Sequence, residues 1–155
     1  MSVVFNKNNY DRKSLAEILQ RFGTDLKYCA QLITRGYCDE DVYGMRTWFC
    51  RTVPSMIDAL GDNAHGVPER LVHSQRFNGN EEAASREWQR ILRKIAFLLR
   101  ESDEKTAVRK IDNPYDMQSQ TEAYLHFERR KMAYREKCRK EGMRLFSYWF
   151  NDLWD

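Results

Sequence analysis

The chain has 155 residues, a length suited to one domain, and 42% of them are hydrophobic and 32% charged. Four Trp, eight Tyr and eight Phe supply anchors for a core and exclude a disordered chain, while seven Gly and three Pro are too few for a collagen-like or linker-like one. Lys and Arg number 26 against 23 Asp and Glu, and the resulting +3 does not by itself announce a nucleic-acid binder.

No apolar run approaches the ~20 residues that a membrane span needs. The longest, Ile95 to Leu99, is closed by Arg100. Met1 to Lys7 lacks the basic-then-apolar pattern of a secretory signal, so a cytoplasmic location and no membrane association are expected. Cys29, Cys38, Cys50 and Cys138 form no C-x-x-C pair, and His65, His73 and His126 are equally scattered. The cysteines read as reduced thiols acting as small apolar residues. No metal and no cofactor is expected.

No alternating strand pattern is longer than Ser2 to Phe5, and the periodic segments read helical. Ser14 and Glu17 make a capping box, in which each side chain satisfies a free backbone donor at a helix start. Leu15, Ile18, Leu19 and Phe22 follow at helical spacing, and Leu26, Cys29, Ala30 and Ile33 resume it after Gly23. Gly23 is a candidate stop, so this is one helix or two, and Gly36 is a candidate left-handed cap.

Asp39, Glu40 and Asp41 then place three acids at the positive end of a helix dipole. Val42, Met45, Phe49, Val53, Met56 and Leu60 form one apolar stripe up to Gly61, with a kink expected at Pro54. Residues 61–80 read as a loop holding a short turn of helix at Pro68 to Val72 and a tight turn at Asn78-Gly79-Asn80.

Asn80 caps a helix whose stripe is Ala84, Trp88, Ile91, Ile95 and Leu98, widened by Leu92 and Leu99. A second loop spans 102–118, after which Ser119 and Glu122 repeat the capping box. From there to Leu153 only Gly142 interrupts the pattern. A helix of about 33 residues would be ~50 Å long, so it either bends near Gly142 or projects from the body. The expected fold is therefore all-α: a single-domain bundle over residues 1–155, with four to five helices and a long C-terminal one.

The excess charge is local. From Glu128 to Arg144 eight basic residues and three acids leave +5, and the rest of the chain carries −2. Lys131, Arg135 and Arg139 share one helix face, and Lys137, Lys140 and Arg144 another. Arg129, Arg130, Arg135, Arg139, Lys140 and Arg144 are the candidate contacts for phosphates or for an acidic protein. The plainer reading is a solvated face balanced by glutamates.

The aromatic cluster from Leu145 to Trp154 has a similar double reading. Phe146, Trp149, Phe150 and Leu153 share a core-like face, whereas Tyr148 and Trp154 fall elsewhere, which makes Trp154 a candidate exposed anchor. His65-Gly66-Val67-Pro68 is a third candidate, but a lone His without a paired base or nucleophile reads as a structural donor. Gly-rich phosphate loops, G-x-S-x-G and C₂H₂ spacing are all missing from the sequence, so no catalytic residue is assigned.

Several segments, taken in order, resemble a family. Arg35-Gly36-Tyr37-Cys38-Asp39-Glu40-Asp41-Val42-Tyr43 is followed by Thr52-Val53-Pro54-Ser55-Met56, His65-Gly66-Val67-Pro68, Glu87-Trp88-Gln89-Arg90-Ile91-Leu92 and the ending Leu153-Trp154-Asp155. This order is similar to a family of small uncharacterised proteins encoded by tailed bacteriophages and prophages. Cys38 stands where that pattern has Ser, and Tyr43 where Trp is commoner, which leaves Asp39 to cap the helix.

The resemblance implies a phage protein acting in the bacterial host cytoplasm, and by analogy a non-enzymatic one that occupies a host protein or ribonucleoprotein, as anti-CRISPR inhibitors of defence systems do. Two rival readings are a sponge that sequesters a signalling nucleotide between arginines and aromatics, and a virion or assembly protein whose long helix oligomerises.

Overall fold

A computed structural model describes residues 15–63, 66–115 and 121–153, with side chains from residue 23 onward. The protein is all-α. Among the described residues there are six α-helices and no strand. They are α1 (Leu15–Arg35), α2 (Asp39–Tyr43), α3 (Met45–Asn63), α4 (Glu69–Val72), α5 (Glu81–Glu101) and α6 (Glu122–Trp149), and a 3-10 turn at Phe150–Asp152 follows the last. The chain divides into two compact units, Met1–Tyr43 and Gly44–Asp155. Ser2 to Phe5, Ser14, His65, Ser119 and Trp154 lie outside the described residues.

In the first unit α1 is one helix running through Gly23. A glycine inside a helix costs only about 1 kcal/mol, which the flanking helix formers outweigh. Gly36, at φ +76°, ends α1 by donating its amide to the Leu32 carbonyl at 3.0 Å. The cap of α2 differs from the expectation. The Cys38 amide donates to Asp41 Oδ2 at 2.9 Å, so Asp41 reaches back over the helix start. Asp39 is engaged elsewhere: it accepts from Gln31 Nε2 at 2.7 Å and pairs with Lys27 at 2.9 Å and with Arg35. Lys27, then Gln31 and Arg35, hold its carboxyl well below the usual range.

The second unit is built around α5. Ala84, Trp88, Leu92, Ile95, Ala96 and Leu99 are buried along it, and α3 and α6 both pack against it. Ile57 of α3, Leu71 and Val72 of α4, and Trp149 of α6 complete the core. Asn80 caps α5 as expected, accepting from the Ala83 amide at 3.0 Å. The turn before it places Asn78 and Gly79 at φ +43° and +86°.

Three expectations about this unit are corrected. The stripe running from Val42 to Leu60 is broken at Gly44, and Met45 and Met56 are 64% and 65% exposed. The most buried residues of α3 are Cys50, Pro54 and Ile57, and Phe49, Val53 and Leu60 of the expected stripe pack half-buried against the core beside them. Gly61 does not stop α3, which continues to Asn63 with Gly61 against Leu92. Finally, α6 starts at Glu122 under Thr121, whose hydroxyl accepts from the Tyr124 amide at 3.4 Å, and not under Ser119.

Gly142 is a point of close approach, inside an unbroken α6. A methyl group there would lie 3.2 Å from Leu98 Cβ, 3.2 Å from Leu99 Cδ2 and 3.3 Å from the Leu99 amide nitrogen. The residue lets α6 press onto α5. Farther along, Trp149 stacks on Trp88 with ring centroids 5.1 Å apart, and Phe146 meets Phe49 edge-on at 5.9 Å. Arg70 lies over the rings of Tyr148 and Trp149 at 4.5 and 4.2 Å and pairs with Asp152, which fixes α4 to the end of α6.

Candidate functional site

The packing of α6 sorts its basic residues into three groups. At 100° per residue, Arg135, Cys138, Gly142 and Trp149 make the inward face. Arg135, expected as a surface contact, is therefore an interior residue. Its Nη1 donates to Glu101 Oε2 at 2.7 Å and to the Glu101 carbonyl at 3.0 Å, and its Nη2 donates to the Arg109 carbonyl at 2.9 Å.

Glu101 is wholly buried. Its Oε1 accepts from the Arg109 amide at 2.8 Å, and its Oε2 also accepts from the Tyr134 hydroxyl at 3.0 Å. Burial pushes this carboxyl up, but the Arg109 amide, Tyr134 and Arg135 together hold it below the ordinary value. The Tyr134 phenol is pushed up to about 12 by burial, by its bond to Glu101 and by Cys138 beside it. Arg135 Nε is buried without a partner, but both of its terminal nitrogens are engaged, and through them and the Arg109 amide the cluster ties the loop after α5 to α6. Sequence reasoning missed Glu101, although an acid at the last residue of a helix, against the dipole, signals a need for a cation.

A second group is exposed but balanced. Arg139 donates through Nε and Nη2 to the two oxygens of Glu136 at 2.7 and 2.6 Å, and Lys140 stands 3.7 Å from the same carboxylate. Arg144 forms the same fork with Glu141 at 2.8 and 3.0 Å, with Lys94 of α5 3.5 Å away. Arg139 and Arg144 hold Glu136 and Glu141 each down to about 2. Lys131 is largely covered and pairs with Glu104 and Glu128.

The third group is Arg129, Arg130 and Lys137. All three are exposed, and none has an ion pair among the described residues. With Lys140 and Arg144 they occupy an arc of about 100° on the side of α6 away from α5, along ~22 Å of helix. Ala133 leaves a gap in this arc, where a shallow groove of about 690 Å³ is lined by Lys94, Lys137, Lys140 and Arg144 together with Glu136 and Glu141. Lys94 is a contribution from a distant helix that no reading of α6 alone could supply.

Cys38, Cys50 and Cys138 are buried free thiols, as a small apolar role requires, whereas Cys29 is exposed. Among the described residues no three His, Cys, Asp or Glu side chains are grouped to hold a metal ion, and no helix is long and apolar enough to cross a membrane. No protein-family model, curated protein or solved structure matches the chain.

Proposed function

We propose that the protein works by binding, without turnover, and that the outer face of α6 is its contact surface for an acidic or phosphate-bearing partner. The observation that carries this reading is the set of α6 cations left over when internal pairing is complete. Arg129, Arg130 and Lys137 are exposed and have no ion pair among the described residues, and they sit on the same side as Lys140 and Arg144, whose carboxylate partners are themselves at the surface. Such an arc raises local positive potential and steers an anionic partner.

The biological setting comes from the family resemblance. The protein is a phage accessory protein in the host cytoplasm, and its target is a host protein or ribonucleoprotein, with a defence complex the first candidate, in the manner of an anti-CRISPR inhibitor. A face that competes for an anion-binding partner fits such a blocking role.

The test is capture of host components by the triple variant Arg129→Glu, Arg130→Glu, Lys137→Glu, compared with the unaltered protein, at rising salt and with nuclease treatment. The variant should lose the captured component while its melting temperature stays within about 2 °C, because exposed, unpaired residues contribute little to stability. Capture by the unaltered protein should weaken as salt rises. Undiminished capture by the triple variant would remove α6 as the contact surface.

A further inference from the structure

A second site lies on another side of the same unit. Between α3 and α6, with α5 as floor, is a cavity of about 400 Å³. Cys50, Leu99 and Ser102 form its base, and Met45 and Phe49 of α3 face Met143 of α6 across it. Phe49, one of its lining residues, also meets Phe146 of α6 edge-on. The wall is overwhelmingly apolar, yet two guanidinium groups border it, Arg46 from α3 and Arg139 from α6.

Neither guanidinium is used up. Arg46 donates through Nη2 to the Ser102 carbonyl at 2.6 Å and stands 3.8 Å from Asp103 through Nε. Arg139 commits Nε and Nη2 to Glu136. Each therefore keeps Nη1 free among the described residues, and an arginine has five N–H donors in all. A greasy slot flanked by two cations with donors to spare is complementary to a molecule with an apolar body and an anionic head. A volume of about 400 Å³ lies within the range of small-molecule sites.

We propose that this cavity binds a medium-chain amphipathic carboxylate, with the chain between Met45, Phe49 and Met143 and the carboxylate at Arg46 and Arg139. The site is separate from the outer face of α6, since Arg139 projects to the opposite flank from Lys137 and Arg144.

Decanoate, with twelve non-hydrogen atoms, is the probe, and decan-1-ol is its uncharged counterpart. Calorimetric titration below the micellar concentration should show saturable one-to-one binding of decanoate, at least ten-fold tighter than decan-1-ol. Arg46→Gln should weaken decanoate at least ten-fold, and Met143→Trp, which fills the slot, should abolish binding. Met45→Asp, at an exposed position outside the buried core, should also weaken it at least ten-fold. Bound decanoate should slow alkylation of Cys50, and the α6 triple variant should bind decanoate as the unaltered protein does. No saturable binding, equal affinity for the alcohol, or undiminished affinity in Arg46→Gln and Met45→Asp would each overturn the proposal.

Discussion

Replacing Arg135 with Met removes the one cation that faces Glu101 from α6, while keeping much of the side-chain volume. Glu101 would remain wholly buried with only the Arg109 amide and the Tyr134 hydroxyl as donors. Breaking a buried pair from one side costs about 3–5 kcal/mol, because an uncompensated charge stays in the interior. For a unit of this size that corresponds to a fall in melting temperature of about 12–20 °C at roughly 4 °C per kcal/mol. The pH dependence has a definite sign. In the unaltered protein the folded Glu101 carboxyl lies below its unfolded value, so its stabilisation is present above the unfolded pKa and is lost as pH falls through the folded one. Without Arg135 two of the causes that lower it are gone while burial remains, so the folded carboxyl moves up and the residue's stabilisation at neutral pH shrinks. The gap between the two proteins should therefore be largest at pH 7 and shrink toward pH 4, measured by urea melts across that range. Adding Glu101→Gln to the Arg135→Met variant should restore at least about half of the loss, since the buried group left behind is neutral. A Tm change under about 3 °C, or a gap as large at pH 4 as at pH 7, would refute the reasoning.

Two glycines should respond oppositely to alanine. Gly142→Ala puts a methyl group against the Leu99 backbone, which cannot move aside as a side-chain tip can, so the overpacking cost should fall toward the upper end of about 1–3 kcal/mol, exceed the ~1 kcal/mol that alanine returns in helix propensity, and appear as a net loss in thermal melts. Gly23→Ala has open space around it and should raise the helicity of α1 by circular dichroism. The Glu136 carboxyl should titrate near 2 by NMR and return toward the ordinary glutamate range in Arg139→Gln, because the Arg139 fork is the main cause of its depression. Any stabilisation from that exposed pair is present above the unfolded pKa and disappears as pH falls toward 2.

Much of the secondary structure was legible because its signals are local. The acids at Asp39 to Asp41, the Asn80 cap, the Asn78-Gly79 turn, the Gly36 terminator and the 3.6-residue period of α5 each act within a turn or two of chain. They require no knowledge of what lies opposite. The same local logic misread Gly61 as a helix end and left Gly23 and Gly142 open between a break and a continuous helix, and at Gly61 and Gly142 a glycine in the sequence does not reveal whether a neighbouring helix needs the room.

The candidate surface shows the same division. Composition and periodicity alone located the charge excess on the last helix and identified the chain as all-α, because both are sums over neighbouring residues. Which of those charges are available was decided only in three dimensions. Arg135 and Lys137 look alike in sequence, yet one is buried on Glu101 from the end of α5 and the other is exposed without an ion pair among the described residues. Likewise Met45 and Met56 fit an apolar stripe, but the break at Gly44 and the position of α5 leave them outside while Cys50 and Ile57 go in. Periodicity shows that a helix has a buried face; the helix packed against it decides which face is buried and which cations remain uncompensated.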